Sequence, residues 1–519
     1  QVPHGSGIVL LGGRDINSTD PNAPNFNPND GLVVLGNRTH GPGGGVTFGV
    51  PVRPCDKDNR GCIGDYLDYD SGDLRNPEFN ERLDFLREAY VDFSMPINDF
   101  EEWSFRVGRQ QVVWGRTDLF RVLDVLNPVD FSRNNIYDEL EDIRYPMWMA
   151  TAEYRMGPKL GFEDLNLQFV WNFDKFRPHN LGQGGTPNSI LDAGSFFRGL
   201  KNCWDNGCTV SNFAANGTLA TDFPSQVIGI RQANLPEWSL QNSQVGMKLE
   251  GVYDGIGFSL NALHYRSQLP SLRGGIPARN PFDLSVPLQS YDHLIAFDID
   301  FPRVTLFGGS LDFYVDPLKS VVRAEVAYTQ GEEFANTLRP RLFSESDVVR
   351  WVVGIDRNTF IPFLNKNRAF LISGQIFGQH LLDHELEQRQ FGPAGIAEWE
   401  DNYIATLLVK GFYKNDRVSP QVIFAHDFRA AATAIAPSVD WLISNSLRLT
   451  VGADFKVGAG VKQFDDCRSC RPFPQLQDAT GNTNSQGLGG FEPLGRFRSG
   501  PIGMSRAEDE IQMVLRYRF

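Results

Sequence analysis

Glu510-Ile511-Gln512-Met513-Val514-Leu515-Arg516-Tyr517-Arg518-Phe519 brings the sequence to its end on a two-residue rhythm. Ile511, Met513, Leu515, Tyr517 and Phe519 fall on one face, while Glu510, Gln512, Arg516 and Arg518 fall on the other. Successive side chains of a β-strand point to opposite faces, so this stretch reads as an amphipathic strand.

The same rhythm recurs upstream. Leu447, Leu449, Val451, Ala453 and Phe455 oppose Arg448, Thr450, Asp454 and Lys456, and Leu165, Leu167, Phe169, Trp171 and Phe173 oppose Asn166, Gln168 and Asn172. Ala89, Val91, Phe93 and Met95 oppose Glu88, Tyr90, Asp92 and Ser94. Similar faces run through 245–253, 256–262, 322–328, 349–355 and 403–409. A soluble sandwich would bury the apolar face as core, whereas a transmembrane barrel turns it to lipid and lines its lumen with the polar one. The connections separate these readings, because they alternate in length. Short ones include 97–102, 157–159, Asp254-Gly255, 316–319, 357–367 and 444–446. Long ones run over about 115–146, 174–243, 267–303, 330–347, 381–401 and 458–508. Tight periplasmic turns and long extracellular loops are how bacterial barrels distribute their connections, and a sandwich has no reason to obey that asymmetry. The fold class expected is therefore all-β, a transmembrane antiparallel β-barrel. Counting back from Phe519 gives roughly sixteen strands, within a range of about 14 to 18, if weak strands lie before Leu83 and over 432–443. Residues 1–82 form a loop-rich N-terminal segment, with 83–519 as the barrel.

Composition agrees. The 519 residues are 41% hydrophobic and rich in Phe (39) and Gly (51), with a mean hydropathy of −0.30. There is no run of about 18 consecutive apolar residues, the minimum for a membrane-spanning helix. A barrel keeps its average hydropathy modest because only alternate residues meet lipid. Trp103, Trp148, Trp171, Trp351, Tyr403, Tyr413 and Tyr517 lie near strand ends, where interfacial girdles sit. The net charge of −14 disfavours nucleic acid as a partner.

Gln1-Val2-Pro3-His4 lacks a charged start followed by an apolar core, which reads as a mature chain after removal of a signal peptide. All six cysteines occur as close pairs in polar stretches, which predicts Cys55–Cys62, Cys203–Cys208 and Cys467–Cys470 disulfides in an oxidising compartment. Zinc would want the pairs brought together or histidines nearby, and no metal site or cofactor is expected. Asp15, Asp20 and Asp30, among Asn17, Asn22, Asn25, Asn27 and Asn29, are the only hard-cation candidates, and calcium there competes with an ordinary Asx-turn-rich loop, the favoured reading.

Ending on an aromatic residue after such a strand resembles the recognition signal that assembly machinery reads on outer-membrane barrels. Val107-Gly108-Arg109-Gln110-Gln111-Val112-Val113-Trp114-Gly115, followed by Asn127-Pro128-Val129-Asp130, resembles a family of Gram-negative outer-membrane barrels that carries a GRQ…WG…NPVD-like run after an early strand. The runs 68–74 and 307–310 are also similar to that family, from which the chain departs after Asp130, where 135–144 reads as an acidic, helical piece. Members are often encoded beside a periplasmic lipid-carrier-like protein and an RND-type exporter of hydrophobic compounds. The resemblance implies an outer-membrane location, lipids and lipopolysaccharide as surroundings, a periplasmic carrier as a partner and an apolar small molecule as cargo. A homo-oligomer stays open.

Physically, Gly108 permits a close approach, Arg109 and Gln110 supply donors, and Trp114-Gly115 ends the strand and starts a long loop. One reading folds the loop of about 115–146 into the lumen, tied by Arg109, Arg116, Asp118 and Asp130 through charge-assisted bonds; a purely structural latch is the other. Inward positions carry both signs: Arg106, Arg323, Arg448 and Arg516 against Glu88, Asp92, Glu153, Glu250, Glu325 and Asp454. With Arg109, Gln110, Trp114, Arg116, Asp118 and Asp130, the residues Arg106, Arg323, Glu325, Arg448, Asp454 and Arg516 are the candidates for the lumen and its constriction. The function expected is a channel or transporter. A general diffusion porin for polar solutes and a structural or adhesive barrel without transport are the alternatives. An enzyme is not expected, since His264 and His426 fall on strands without a nucleophile context beside them.

Overall fold

The computed structural model describes residues 9–10, 14–15, 46–48, 86–117, 120–130, 143–179, 227–276, 294–336, 338–339, 341, 343–389, 392–396, 398–429, 431–458 and 509–518. Its centre is one 15-stranded antiparallel sheet in simple sequential order. We label its strands β1 (Ala89–Pro96), β2 (Glu102–Gln110), β3 (Met147–Arg155), β4 (Asp164–Asn172), β5 (Gln244–Tyr253), β6 (Ile256–Arg266), β7 (Arg303–Val315) and β8 (Ser320–Ala335). The remainder are β9 (Phe343–Thr359), β10 (Phe370–Leu381), β11 (Asp401–Lys410), β12 (Val418–Asp427), β13 (Ala432–Leu442), β14 (Leu447–Gly458) and β15 (Glu510–Tyr517). The closing stretch read from sequence is β15, and the weak strand expected over 432–443 is β13. Phe519, the strand expected before Leu83, the 1–82/83–519 boundary, the acidic piece over 135–144 and all six cysteines lie, wholly or nearly so, outside the described residues.

β1 and β15 are the two edges and, being odd members of an alternating series, run in the same direction. An all-antiparallel closure therefore takes an odd number of further strands. Between strands the connections at one end are tight. β5 turns into β6 through Asp254-Gly255, both at positive φ (49° and 72°), the backbone a two-residue primed turn needs. The other end carries the long connections, including a 4-stranded sheet of Ser271–Ile276, Leu294–Asp300, Val227–Ala233 and Val46–Phe48. One connection expected to be long is not. β8 and β9 run as a continuous ladder out to Ala335↔Phe343, because the stretch from Gln330 to Asp347 extends the hairpin past a bulge at 330–331 instead of forming a loop.

Side chains follow the strand period. On β15 the outward Ile511, Met513, Leu515 and Tyr517 are all exposed, as are Phe307 and Leu311 on β7 and Val353 and Ile355 on β9. An apolar belt of this extent far exceeds the patch of a few hundred Å² that soluble monomers show. We expect detergent-extracted protein to give a strand-rich circular dichroism spectrum and heat-modifiable migration, and deletion of Phe519 to lower the assembled fraction severalfold. A helix-dominated spectrum would refute the fold.

The inward face is polar towards the tight turns: Glu153, Asn166, Glu250, Ser259, Ser310, Asp312, Arg323, Asp356, Ser373 and Gln375. An apolar band follows, with Met147, Met149, Val170, Leu263, Val304, Leu306, Ala327, Val352, Ile404 and Ala425 in one buried cluster. At and beyond the band, towards the long connections, inward positions are polar again, with Asn172, Gln244, Arg350, Gln379, Asn402 and Asp427. The polar lining expected of the lumen is thus interrupted by the apolar band, against which a loop packs.

Candidate functional site: a loop seated in the lumen

The loop begins where β2 ends. At Gly108 the backbone takes φ 145°, and a Cβ there would sit 2.3 Å from Ala89 O, so the close approach of β1 and β2 requires glycine. Beyond it the inward Gln110 is buried and donates through Nε2 to Met149 O at 3.0 Å. Asn127 then holds the two ends of the loop together. Its Oδ1 accepts from Val112 N–H at 2.9 Å, and its Nδ2 donates to Tyr145 O at 2.8 Å. These bonds return the chain across the lumen, with Val129 and Asp130 pairing against Arg144 and Ile143.

The tip of the loop, Gly115-Arg116-Thr117, is fixed by β7 and β8. Glu325, buried on β8, accepts from the backbone N–H groups of Arg116 at 2.5 Å and Thr117 at 2.7 Å through one carboxylate oxygen. The Arg116 guanidinium pairs with Asp312 on β7 and lies 3.9 Å from Glu250 on β5. Arg323 spans the other side. It donates to Arg116 O at 2.5 Å and pairs with Asp356 on β9 at 2.6 Å. Trp114 donates from Nε1 to Gln168 on β4 at 2.8 Å and lies against Gly246, where a Cβ would meet its ring at 2.5 Å.

Above the tip the loop is apolar and meets the apolar layer. Phe120 stacks on Phe377 of β10 with centroids 5.0 Å apart, and Val122, Leu123 and Leu126 are buried in the same cluster. A charged knot closes it: Asp124 accepts from Arg144 at 2.6 Å and Arg121 at 3.3 Å, all three side chains being largely buried. Gln268 donates to Val125 O at 3.0 Å, and the ring of His179 accepts from Val129 N–H at 2.9 Å. Burial and the Arg121 charge hold His179 well below its ordinary range, which keeps that ring neutral and able to accept.

The candidate residues are thus partly brought together. Arg116, Arg323 and Glu325 meet at the tip of the loop, while Gln110 and Trp114 are held separately, by Met149 O and Gln168. Asp130 is buried at the return of the loop, with its N–H donating to Ile143 O. Asp118 lies outside the described residues. Arg109 does not face the lumen: it is in register with Ala89 and Trp148, on the outward face with Val107, and its Nε donates to Pro146 O at 3.3 Å. Arg106 is inward but bound to Asp92 on the edge strand at 2.6 Å. It helps line a polar recess of about 470 Å³ with Ser104, Thr151, Glu153 and Gln168. Arg448, paired with Asp440 at 2.5 Å, Asp454 and Arg516 lie on β14 and β15, away from the tip of the loop. Of the calcium candidates, Asp20 and Asp30 are outside the described residues, and Asp15 lies in a two-residue strand paired with Val9. Asp312 and Asp124 are not among the sequence candidates, and Asn127 enters there only as part of the Asn127-Pro128-Val129-Asp130 run, not as a tie. The two-residue alternation of β7 marks Asp312 as inward, while nothing local marks Asp124.

A curled antiparallel sheet that carries its own loop in its lumen is the class this geometry defines. The chain belongs to the family described as "Protein of unknown function (DUF1302)", whose model matches residues 12–469. No curated protein matches it. Among solved structures it is similar to a triple-mutant porin of Rhodopseudomonas blastica at 11% identity, covering 70% of this chain and 83% of that one with a TM-score of 0.28. It is also similar to the ferric-catecholate import receptor Fiu from E. coli in its open form (10% identity, 71% and 57% covered, TM-score 0.26). A third is OmpT, an outer membrane protein of Vibrio cholerae (12% identity, 61% and 82% covered, TM-score 0.24).

Proposed function

We propose that this chain is an outer-membrane channel for apolar small molecules, closed in the described state by the 111–130 loop. The apolar belt faces lipid, the tight turns face the periplasm and the long connections face outward. The observation that carries the reading is the apolar band within the lumen. A water-filled pore has a polar wall throughout, whereas here a band of aliphatic side chains interrupts the polar wall, and the Val122–Leu126 stretch packs against that band. Withdrawal of the loop leaves a path that solvates an apolar molecule better than an ion. The polar layer beneath holds the tip of the loop rather than a solute, and a periplasmic carrier would meet the barrel at the tight-turn end.

The test is flux. Arg116 is about a third exposed, so losing its pair with Asp312 costs about 1–2 kcal/mol, less than a fully buried pair would. That raises the open population roughly 5- to 30-fold. We expect Arg116→Ala, in reconstituted vesicles, to increase entry of an uncharged apolar dye by that factor while the barrel stays folded. If the folded variant passes dye at the wild-type rate, the gating role fails. If neither passes any solute, the barrel is structural.

A further inference from the structure

Near the long-connection end, the outward face of β6 and β7 breaks the apolar belt. Leu260 and Ala262 on β6, with Phe307 and Leu311 on β7, continue it, and then His264, Arg266 and Arg303 follow on the same face. Arg266 and Arg303 stand directly opposite one another in the ladder. Like charges so placed are destabilising unless something neutralises them. Among the described residues neither forms an ion pair. The two guanidinium groups share one neutral oxygen, Asn242 Oδ1, at 2.6 and 3.2 Å. Their other donors go to the carbonyls of Phe301, at 2.9 Å, and Gln241, and Arg303 approaches His264 Nε2 at 3.5 Å. Arg266 Nε is buried with no acceptor. The nearby carboxylate, Asp300, is occupied by Asn234 at 3.2 Å and lies 3.6 Å from Arg273. In the segment that supplies Gln241 and Asn242, Trp238 and Leu240 are 63% and 67% exposed.

Two adjacent cations with no ion-pair contact among the described residues, set above an apolar wall and near a segment with an exposed tryptophan, are complementary to a phosphate at the lipid–water boundary. We propose that Arg266 and Arg303 bind the phosphate headgroup of an anionic outer-leaflet lipid, whose chains run down over Leu260, Ala262 and Phe307. Guanidinium suits this role because its fork of donors engages phosphate oxygens two at a time. The proposal rests on reading the apolar belt as lipid-facing.

The experiment uses the full chain in nanodiscs, with insertion and strand content established first. Retention of diphosphoryl lipid A is then read by native mass spectrometry for the wild type, R303Q, R266Q/R303Q and R368Q, the last changing an arginine in a tight turn. The expected result is retention at least tenfold weaker in the double variant, intermediate in R303Q and unchanged in R368Q, with dephosphorylated lipid A not retained by any. Equal retention by the double variant, or of the dephosphorylated lipid, overturns the proposal. So does complete displacement by millimolar inorganic phosphate, which would mark a site for a free anion. A chain that fails to enter the bilayer defeats the channel reading, and this proposal with it, whereas loss of lipid binding alone in an inserted barrel leaves that reading standing.

Discussion

A chain carrying Leu123→Glu is expected to keep its strand content and heat-modifiable migration while passing an uncharged dye at roughly one hundred times the wild-type rate. Leu123 is fully buried between the loop and the wall, its Cδ2 filling the space that a Cβ on Gly308 would claim, 2.5 Å away. A glutamate there loses the leucine contacts and leaves a carboxylate with no partner in the apolar layer, at a cost of at least about 3 kcal/mol. The strands do not share that cost, because the loop leaving the lumen relieves it and the ladder bonds are untouched. Each 1.4 kcal/mol is tenfold in the closed-to-open ratio, which gives the expected factor of about one hundred. The measurement is dye entry into vesicles together with single-channel conductance. A folded variant with wild-type flux would show that the loop is not the barrier. Leu123→Met, similar in volume and apolar, should stay closed.

The second large effect is expected at Asp124. Its carboxylate holds Arg144 at 2.6 Å and Arg121 at 3.3 Å in a pocket where the three side chains are 3, 8 and 12% exposed. Removing it with Asp124→Ala leaves two buried cations facing each other, and breaking a buried pair in this way costs about 3–5 kcal/mol. The neck of the loop should loosen, and trypsin added on the long-connection side should cut after Arg121 and Arg144 at least a hundredfold faster than in the wild type. Asp124→Asn keeps an acceptor oxygen and should fall between the two. Protection equal to wild type in the alanine variant would show that Asn127 and the apolar packing hold the neck without the ion pairs. The two variants report on different things, since Leu123→Glu disturbs the seat and Asp124→Ala disturbs the neck.

Much of the architecture was legible in the sequence for one reason: a barrel strand is read by its period. Alternation places Ile511, Met513 and Leu515 on one face and Gln512 and Arg516 on the other whatever the rest of the chain does, and β14, β4 and β1 follow the same rule. The primed turn at Asp254-Gly255 and the contrast of short and long connections are equally local. So is the inward position of Arg323 and Glu325. The same rule also places Arg109 outward, three residues after the inward Arg106. Reading it as a lumen tie followed the motif instead of the alternation, and the ladder with Trp148 corrects it.

What the sequence by itself determined is therefore the class of fold, the strand faces and the start of the loop at Trp114-Gly115. Only the tertiary structure decided where that loop goes and what holds it. Glu325 is 209 residues from the Arg116 N–H it accepts, and Asp312 is 196 from the guanidinium it pairs with. The apolar inner layer was invisible for a related reason. Leu263, Val352 and Ile404 are inward by alternation and aliphatic by chance as far as any one strand can tell. They become a dry seat only when neighbouring strands bring them to one depth and the side chains of Phe120, Val122 and Leu123 exclude water from it. Closing a loop against distant strands is a matter of packing and charge across the lumen, which no local period encodes.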